Sequence, residues 1–214
     1  MKLWLAAAIA ATTMFAGTVQ AATISVVSGD GAVIAAPGRV SNTTPADSTT
    51  IFAFNEAEGV ILANDLDAVT GMSTVADPTP TSVTIGAGTA VDSHLVIFNS
   101  DAGRTQVNAM ATFSFSQAIL GLIIDGAGLA ATNGELGAEG TSYGALDGLE
   151  LGPNANSDEF EVVGNTLFLN LTVTQPGEWV RVITASPAVV PVPAAGFVLL
   201  GGLGALTLVR RRRG

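Results

Sequence analysis

The stretch Thr166 to Thr174, TLFLNLTVT, decides the fold class of this chain. Leucine or valine occupies every second position from 167 to 173, so these side chains share one face of an extended strand. Phe168, Asn170 and Thr172 then point to the opposite face. One apolar and one largely polar face predict a β-strand that covers a core on one side only.

The residues that follow predict a second strand. Gln175-Pro176-Gly177-Glu178 is typical of a tight turn, and Trp179 to Thr184 (WVRVIT) is rich in strand-forming residues. We therefore expect the two strands to pair as an antiparallel hairpin. Further strands are predicted at Thr23–Val27, Thr50–Phe54, Gly59–Leu62, His94–Phe98, Asn108–Ser116, Ala118–Ile124 and Glu159–Val163.

About nine short strands separated by turn residues predict a mainly β fold. The expected architecture is an antiparallel β-sandwich, jelly-roll-like, formed by residues 22–186. A short helix is the most plausible exception, at Ala127–Gly137 or at Ser142–Leu149. Cysteine is absent, so a hydrophobic core rather than disulfides has to stabilise this domain.

The N-terminus has the pattern of a secretory signal peptide. Lys2 precedes the apolar run Leu3 to Ala11, and Val19-Gln20-Ala21 supplies the small residues that signal peptidase accepts. Residues 1–21 are therefore expected to form a signal helix that is cleaved after Ala21, with a retained N-terminal anchor as the alternative.

The C-terminal segment, residues 187–214, is predicted to anchor the chain in a membrane. Ala194 to Val209 carries no charge and leads directly into Arg210, Arg211, Arg212 and Arg213. Sixteen helical residues reach roughly 24 Å, less than a hydrocarbon core of roughly 30 Å, so this transmembrane helix is short. The arginines favour the cytoplasmic side, which places the rest of the chain outside.

Directly before the apolar segment stands Val190-Pro191-Val192-Pro193-Ala194. This motif, a glycine-rich apolar segment and an arginine cluster occur in the order that resembles the VPLPA-CTERM variant of the PEP-CTERM sorting signals of Gram-negative bacteria. Val192 stands where that family usually has leucine. The resemblance implies recognition by an exosortase-type transpeptidase that cuts near the prolines and transfers the protein to the cell envelope or exterior.

A looser resemblance to the middle region of proteins with this tail lies in Val91–Asn99, Leu120–Asp125 and Pro176–Thr184. It implies a shared extracellular β-domain and identifies no catalytic residue.

The charge of the domain limits its partners. Three arginines, Arg39, Arg104 and Arg181, stand against 18 acidic residues, a net charge of −15 for the part between the two targeting ends. Nucleic acid and anionic membrane surfaces are therefore poor partners.

No arrangement of residues predicts catalysis. His94, the single histidine, follows Asp92 and Ser93, but neighbours on a strand point to opposite faces and do not form a triad. We expect His94 at the start of a strand, with its ring bonded to a neighbouring loop. Trp179 and Tyr143 are candidates for stacking on sugar, but Trp179 is expected to pack at the end of the sandwich instead.

The acidic loops are candidates for calcium. Asp65, Asp67 and Asp125 are the favoured ligands of a structural calcium ion, and solvated surface charge is the alternative. No other cofactor is predicted.

These features predict a non-enzymatic cell-surface or extracellular-matrix protein that acts in adhesion or in association with exopolysaccharide. Its expected partners are signal peptidase, the exosortase-type enzyme and the membrane. A secreted polysaccharide-active hydrolase and a carbohydrate-binding module are the alternatives.

Overall fold

The computed structural model describes residues 22–101, 106–153, 157–173 and 177–187, and the chain there is mainly β. In chain order the elements are β1 (Ile24–Gly29), β2 (Gly31–Val33), β3 (Arg39–Val40), β4 (Ile51–Asn55), β5 (Val60–Ile61), β6 (Leu66–Thr70), β7 (Met72–Ser73), β8 (Thr81–Ile85), β9 (Ala90–Phe98), β10 (Val107–Phe115), β11 (Ile119–Ile123), α1 (Gly126–Leu136), β12 (Ser142–Tyr143), β13 (Glu159–Val163), β14 (Thr166–Val173) and β15 (Glu178–Ala185). The predicted mainly β class is confirmed, and so is a helix in the first of the two predicted places.

The smaller sheet has five strands in the order β1-β10-β14-β13-β7, and every pairing in it is antiparallel. Strand β14, which decided the fold class, lies at its centre. The leucines at 167, 169 and 171 and Val173 are buried, whereas the residues between them are half-buried. The alternation in the sequence therefore predicted the buried face of this strand correctly.

The larger sheet runs β2-β4-β9-β15-β11-β6-β8, with β5 as a second partner of β9. Its central strands, β9 and β15, are buried on both faces over almost their whole length. This agrees with the apolar and aromatic residues that the sequence places at both odd and even positions of these strands.

Two pairings depart from the antiparallel prediction. Strand β2 pairs with β4 in parallel, and β3 pairs with β12 in parallel as a separate two-stranded sheet. The described fold therefore contains mixed as well as antiparallel sheets, and each parallel pairing involves only two or three residues of each strand.

The predicted hairpin between residues 166–174 and 179–184 is wrong. Strand β14 pairs with β10 and β13 in the smaller sheet, whereas β15 pairs with β9 and β11 in the larger one. Both edges of each strand are already occupied, so no edge remains for a hairpin. The chain therefore leaves the smaller sheet after β14 and enters the larger sheet at β15. Burial differs accordingly: β14 is buried at alternate residues, whereas β15 is buried almost throughout.

Two apolar clusters stabilise the fold. The first lies between the sheets and includes Phe98, Phe113, Phe115 and Phe160. The second lies on the opposite face of the larger sheet, where α1 and the loops after it cover Trp179 and its neighbours. Asp125 caps α1, because its Oδ1 accepts a hydrogen bond from the Gly128 N–H at 2.7 Å.

Within the described residues no helix is long and apolar enough to cross a membrane. The predicted signal helix and C-terminal transmembrane helix lie outside the described residues.

Candidate functional site

The solvent-facing side of the smaller sheet, here called the open face, carries the best candidate for a binding surface. It consists of the side chains on β1, β10, β14, β13 and β7 that alternate with the buried ones. Strand register aligns them in rows across the sheet. One row is Ser28, Thr112, Phe168, Glu161 and Met72, and the next is Met110, Asn170 and Glu159.

A chain of hydrogen bonds connects the second row to the next one, in which Asn108 lies opposite Thr172. Asn108 Nδ2 donates to Asn170 Oδ1 at 2.9 Å and to Thr172 Oγ1 at 3.0 Å. Asn170 Nδ2 in turn donates to Glu159 Oε2 at 2.9 Å. This bond and one from the Val75 N–H lower the pKa of Glu159, so the carboxylate stays ionised.

Phe168 forms the apolar part of the open face. It is half-buried and borders a shallow hollow of about 180 Å³ together with Ser28, Gly29, Met110 and Thr112. Gly29 has a φ of 80°, and a Cβ there would lie 2.2 Å from the Met110 carbonyl oxygen, so only glycine fits this side of the hollow. An aromatic ring beside ordered amides is the combination that binds the apolar and hydroxyl faces of a sugar.

The carboxylates predicted to bind calcium lie apart from the open face. Asp67 and Asp125 border one open groove of about 440 Å³ between β6, β8 and the end of β11. Asp67 Oδ1 accepts a bond from Thr84 Oγ1, and Asp65 Oδ1 accepts one from the Ala87 N–H at 2.8 Å. In the described part of the chain no three histidine or acidic side chains converge as a metal site would require. Calcium binding by these three residues stays a prediction.

His94 does not lie at a strand start. It lies in the middle of β9, has no exposed surface, and faces the core between the sheets. Its Nδ1 bonds Asn55 Oδ1 at 2.9 Å, its Nε2 bonds Thr184 Oγ1 at 3.1 Å, and its ring contacts Phe115. Its partners belong to strands rather than to a loop, because β9 is the central strand of the larger sheet.

Acid is expected to destabilise the fold through His94. Burial lowers the pKa of His94 to about 4, below the value of an unfolded histidine, so the unfolded chain binds a proton first. The stability is complete above about pH 6.5, and about 3 kcal/mol is lost as the pH falls to about 4. Urea unfolding of wild type and His94→Gln across this range measures it. The variant should lose less stability with acid, and equal slopes for the two proteins would contradict the prediction.

The aromatic candidates for sugar stacking are engaged elsewhere. Trp179 has no exposed surface and packs in the cluster beneath α1, so it offers no ring to a ligand. Tyr143 donates its hydroxyl to Glu56 Oε1 at 2.6 Å and accepts from the Ala138 N–H. Phe168, in contrast, is half-buried and has part of its side chain at the surface of the open face.

A buried ion pair was not predicted from the sequence. Arg181 on β15 bonds Glu56, which follows β4, through two contacts of 2.6 and 2.8 Å, and both side chains have no exposed surface. An arginine between valines in a strand buried on both faces is the signal that would have revealed it, since a buried charge requires a partner.

The predicted sorting residues, Val190 to Ala194 and Arg210 to Arg213, and the predicted cleavage residue Ala21 lie outside the described residues. Comparisons of the chain with protein-family models, with curated proteins and with solved structures give no match.

Proposed function

We propose that this chain is a non-enzymatic exported surface or matrix protein whose jelly-roll-like β-sandwich binds extracellular polysaccharide. Export and delivery to the envelope by an exosortase-type enzyme are proposed from residues 1–21 and 187–214 alone. Binding is proposed from the open face, and the single observation that carries it is the half-buried Phe168 ring beside the ordered Asn108–Asn170–Glu159 chain.

The negative charge of the domain favours a neutral polysaccharide over an acidic one. Glu159 and Glu161 lie on the open face, and the exported part has a large negative charge. An acidic polymer is repelled by such a surface, whereas a neutral one is not. We therefore propose a neutral polysaccharide, bound by stacking of one sugar on Phe168 and by hydrogen bonds to the amides.

The non-enzymatic part of the proposal has separate support. His94 lies in the core, and its two ring nitrogens bond Asn55 and Thr184. Asp92 is buried and accepts a bond from the Gly59 N–H. In the described residues Asp92, Ser93 and His94 therefore act in structure rather than as a group open to a substrate.

Substitution of Phe168 tests the proposal. Phe168→Thr introduces a residue with high strand propensity and removes the ring, and we expect at least about a tenfold loss of affinity for a neutral polysaccharide. The assay is affinity electrophoresis of the purified full chain against a panel of neutral and acidic polysaccharides. Val163→Ala, on the same face but outside the hollow, is the matched control and should bind normally.

Two results would contradict this function. Absence of binding to any neutral polysaccharide would remove the assignment of the open face. Release of shortened products, lost on substitution of one carboxylate, would instead establish the alternative, a polysaccharide-active hydrolase.

A further inference from the structure

Two buried carboxyl groups meet at one end of the core between the sheets. Asp158 directly precedes β13, and Glu178 is the first residue of β15, so the pair joins the smaller sheet to the larger one. Each acid continues a row of core residues, because Phe160 follows Asp158 at the second position and Val180 follows Glu178. Asp158 has no exposed surface and Glu178 is 4% exposed.

A hydrogen bond joins the two side chains. An ionised carboxyl group only accepts hydrogen bonds, so two carboxylates have no hydrogen to share. The bond between Asp158 and Glu178 therefore requires one proton, which has to stay on one of the two groups.

The other hydrogen bonds of the pair place that proton on Glu178. Asp158 Oδ1 accepts from the Thr172 N–H at 2.9 Å, and its Oδ2 accepts from the Glu150 N–H at 2.8 Å. Two backbone donors stabilise the ionised form of Asp158. Glu178 lacks such donors among the described residues, and its buried Oε2 has no hydrogen-bond partner. A buried oxygen without a donor costs less on a neutral group than on an ionised one.

In the described part of the chain no positive charge balances the pair. Arg181 lies three residues after Glu178, but it bonds Glu56 and the helix on the opposite face of β15. The charged side chains that face the pair are Glu150 and Asp147, on the loop before it, and both are acidic. The surroundings therefore favour a pair that keeps its proton and carries a single negative charge.

We propose that Asp158 and Glu178 form a proton-dependent latch that holds the two sheets together at this end of the core. With the proton present, the latch is a hydrogen bond between strands of different sheets. Without it, two buried negative charges lie side by side and repel each other. The Glu150 loop is tied to Asp158 by two backbone contacts, so β15 separates from this loop as well as from β13. The latch is independent of polysaccharide binding.

Alkali is expected to open the latch. Burial, followed by the charge of Asp158, raises the pKa of Glu178 to about 10, whereas an unfolded glutamate has a pKa of about 4.3. Between these two values the folded chain keeps a proton that the unfolded chain has lost, so stability falls as the pH rises. Burial also raises the pKa of Asp158, but its two backbone donors oppose that shift.

Urea unfolding of the purified full chain between about pH 7.5 and about pH 9 tests the latch. One retained proton makes the folding equilibrium constant fall about tenfold per pH unit. Few other groups titrate in this range, because the chain has no cysteine and His94, whose pKa is lowered by burial, is neutral in both states. Burial raises the pKa of Tyr143, the single tyrosine, above its ordinary value of about 10.

Three variants distinguish the latch from a general effect of alkali. The amide of Glu178→Gln donates to Asp158 as the proton does and does not ionise, so this variant should fold and be equally stable at both pH values. Asp158→Asn should lose stability at both, because its amide nitrogen faces a backbone N–H. Glu139→Gln, at an exposed position after α1, is the matched control and should keep the wild-type slope.

Infrared spectroscopy at about pH 7.5 detects the proton directly. The carbonyl stretch of a protonated carboxyl group should be present in wild type and absent from Glu178→Gln. Absence of that band from wild type, or wild-type stability that is unchanged between the two pH values, would overturn the proposal. A Glu178→Gln variant that is unfolded, or that keeps the wild-type slope, would overturn it too.

Discussion

Replacement of Arg181 by methionine is expected to destabilise the fold by about 3–5 kcal/mol. The arginine is fully buried, and methionine fills much of its volume but leaves the Glu56 carboxylate buried without a cation. It also leaves the Leu129 carbonyl without the Nη1 donor at 3.0 Å and the Asn133 Oδ1 without the Nη2 donor at 2.8 Å. Unpaired buried charge dominates this cost, because a lost neutral hydrogen bond accounts for only about 1 kcal/mol.

The same substitution should loosen α1. Arg181 donates to the Leu129 carbonyl, Thr132 and Asn133 of α1, and Glu56 accepts the hydroxyl of Tyr143 on β12. The pair therefore ties the helix to the larger sheet at a place where only two helix residues, Leu129 and Leu136, are buried. Urea unfolding gives the free energy, and fluorescence of Trp179 reports the packing beneath α1.

A double-mutant cycle separates the pair from general damage to the core. Arg181→Met with Glu56→Gln removes both charges, so the double variant should be more stable than the sum of the two single effects predicts. Arg39→Met, at an exposed position, is the control and should change stability by less than about 0.5 kcal/mol. A single Arg181→Met variant within about 1 kcal/mol of wild type would refute the argument.

The local pattern of the sequence predicted which elements form and which face is buried. The alternation in β14 is a local property, because side chains two apart share a face whatever the partner strand. The hairpin prediction was wrong because strand pairing depends on which edges other strands already occupy. Here β10 and β13 occupy the edges of β14, and β9 and β11 occupy those of β15. A turn sequence alone does not distinguish a hairpin turn from a connection that joins strands of two different sheets.

The same limit applies to the sites. Asp65, Asp67 and Asp125 were chosen from acidic residues that stand close together or at a turn. Each accepts a hydrogen bond from a hydroxyl or an N–H, and calcium binding by them stays a prediction. Asp158 and Glu178 lie 20 positions apart and meet only because β13 and β15 belong to sheets that pack on one another. Phe168 was correctly predicted to face away from the core. Thr112 lies opposite it and Asn108 lies opposite Thr172, and this pairing with β10 depends on strand register, which the sequence does not reveal.

Changes in the C-terminal segment are expected to have all-or-none effects on processing. Pro191→Ala with Pro193→Ala replaces two residues that disfavour helix by two that favour it, directly before the apolar segment. A helical substrate does not fit a protease that reads extended backbone, so the protein should stay anchored and uncut. Cell fractionation and the mass of the C-terminal fragment measure this, and Val192→Leu, which restores the usual residue of the resembled motif, is the control that should be processed normally.

Neutralising the four C-terminal arginines is expected to impair membrane anchoring rather than cleavage. Ala194 to Val209 includes glycines at 196, 201, 202 and 204, and sixteen helical residues would reach only roughly 24 Å, so we expect a weak hold on a bilayer from this segment alone. With Arg210 to Arg213 replaced by glutamine, charge no longer opposes passage through the hydrocarbon, and the chain should be released with its tail intact. We therefore expect the proline variant in the membrane fraction and the arginine variant outside it, both with the C-terminal segment still attached. Normal processing of the proline variant would show that residues 190–194 are not a sorting motif and that the segment acts as an anchor alone.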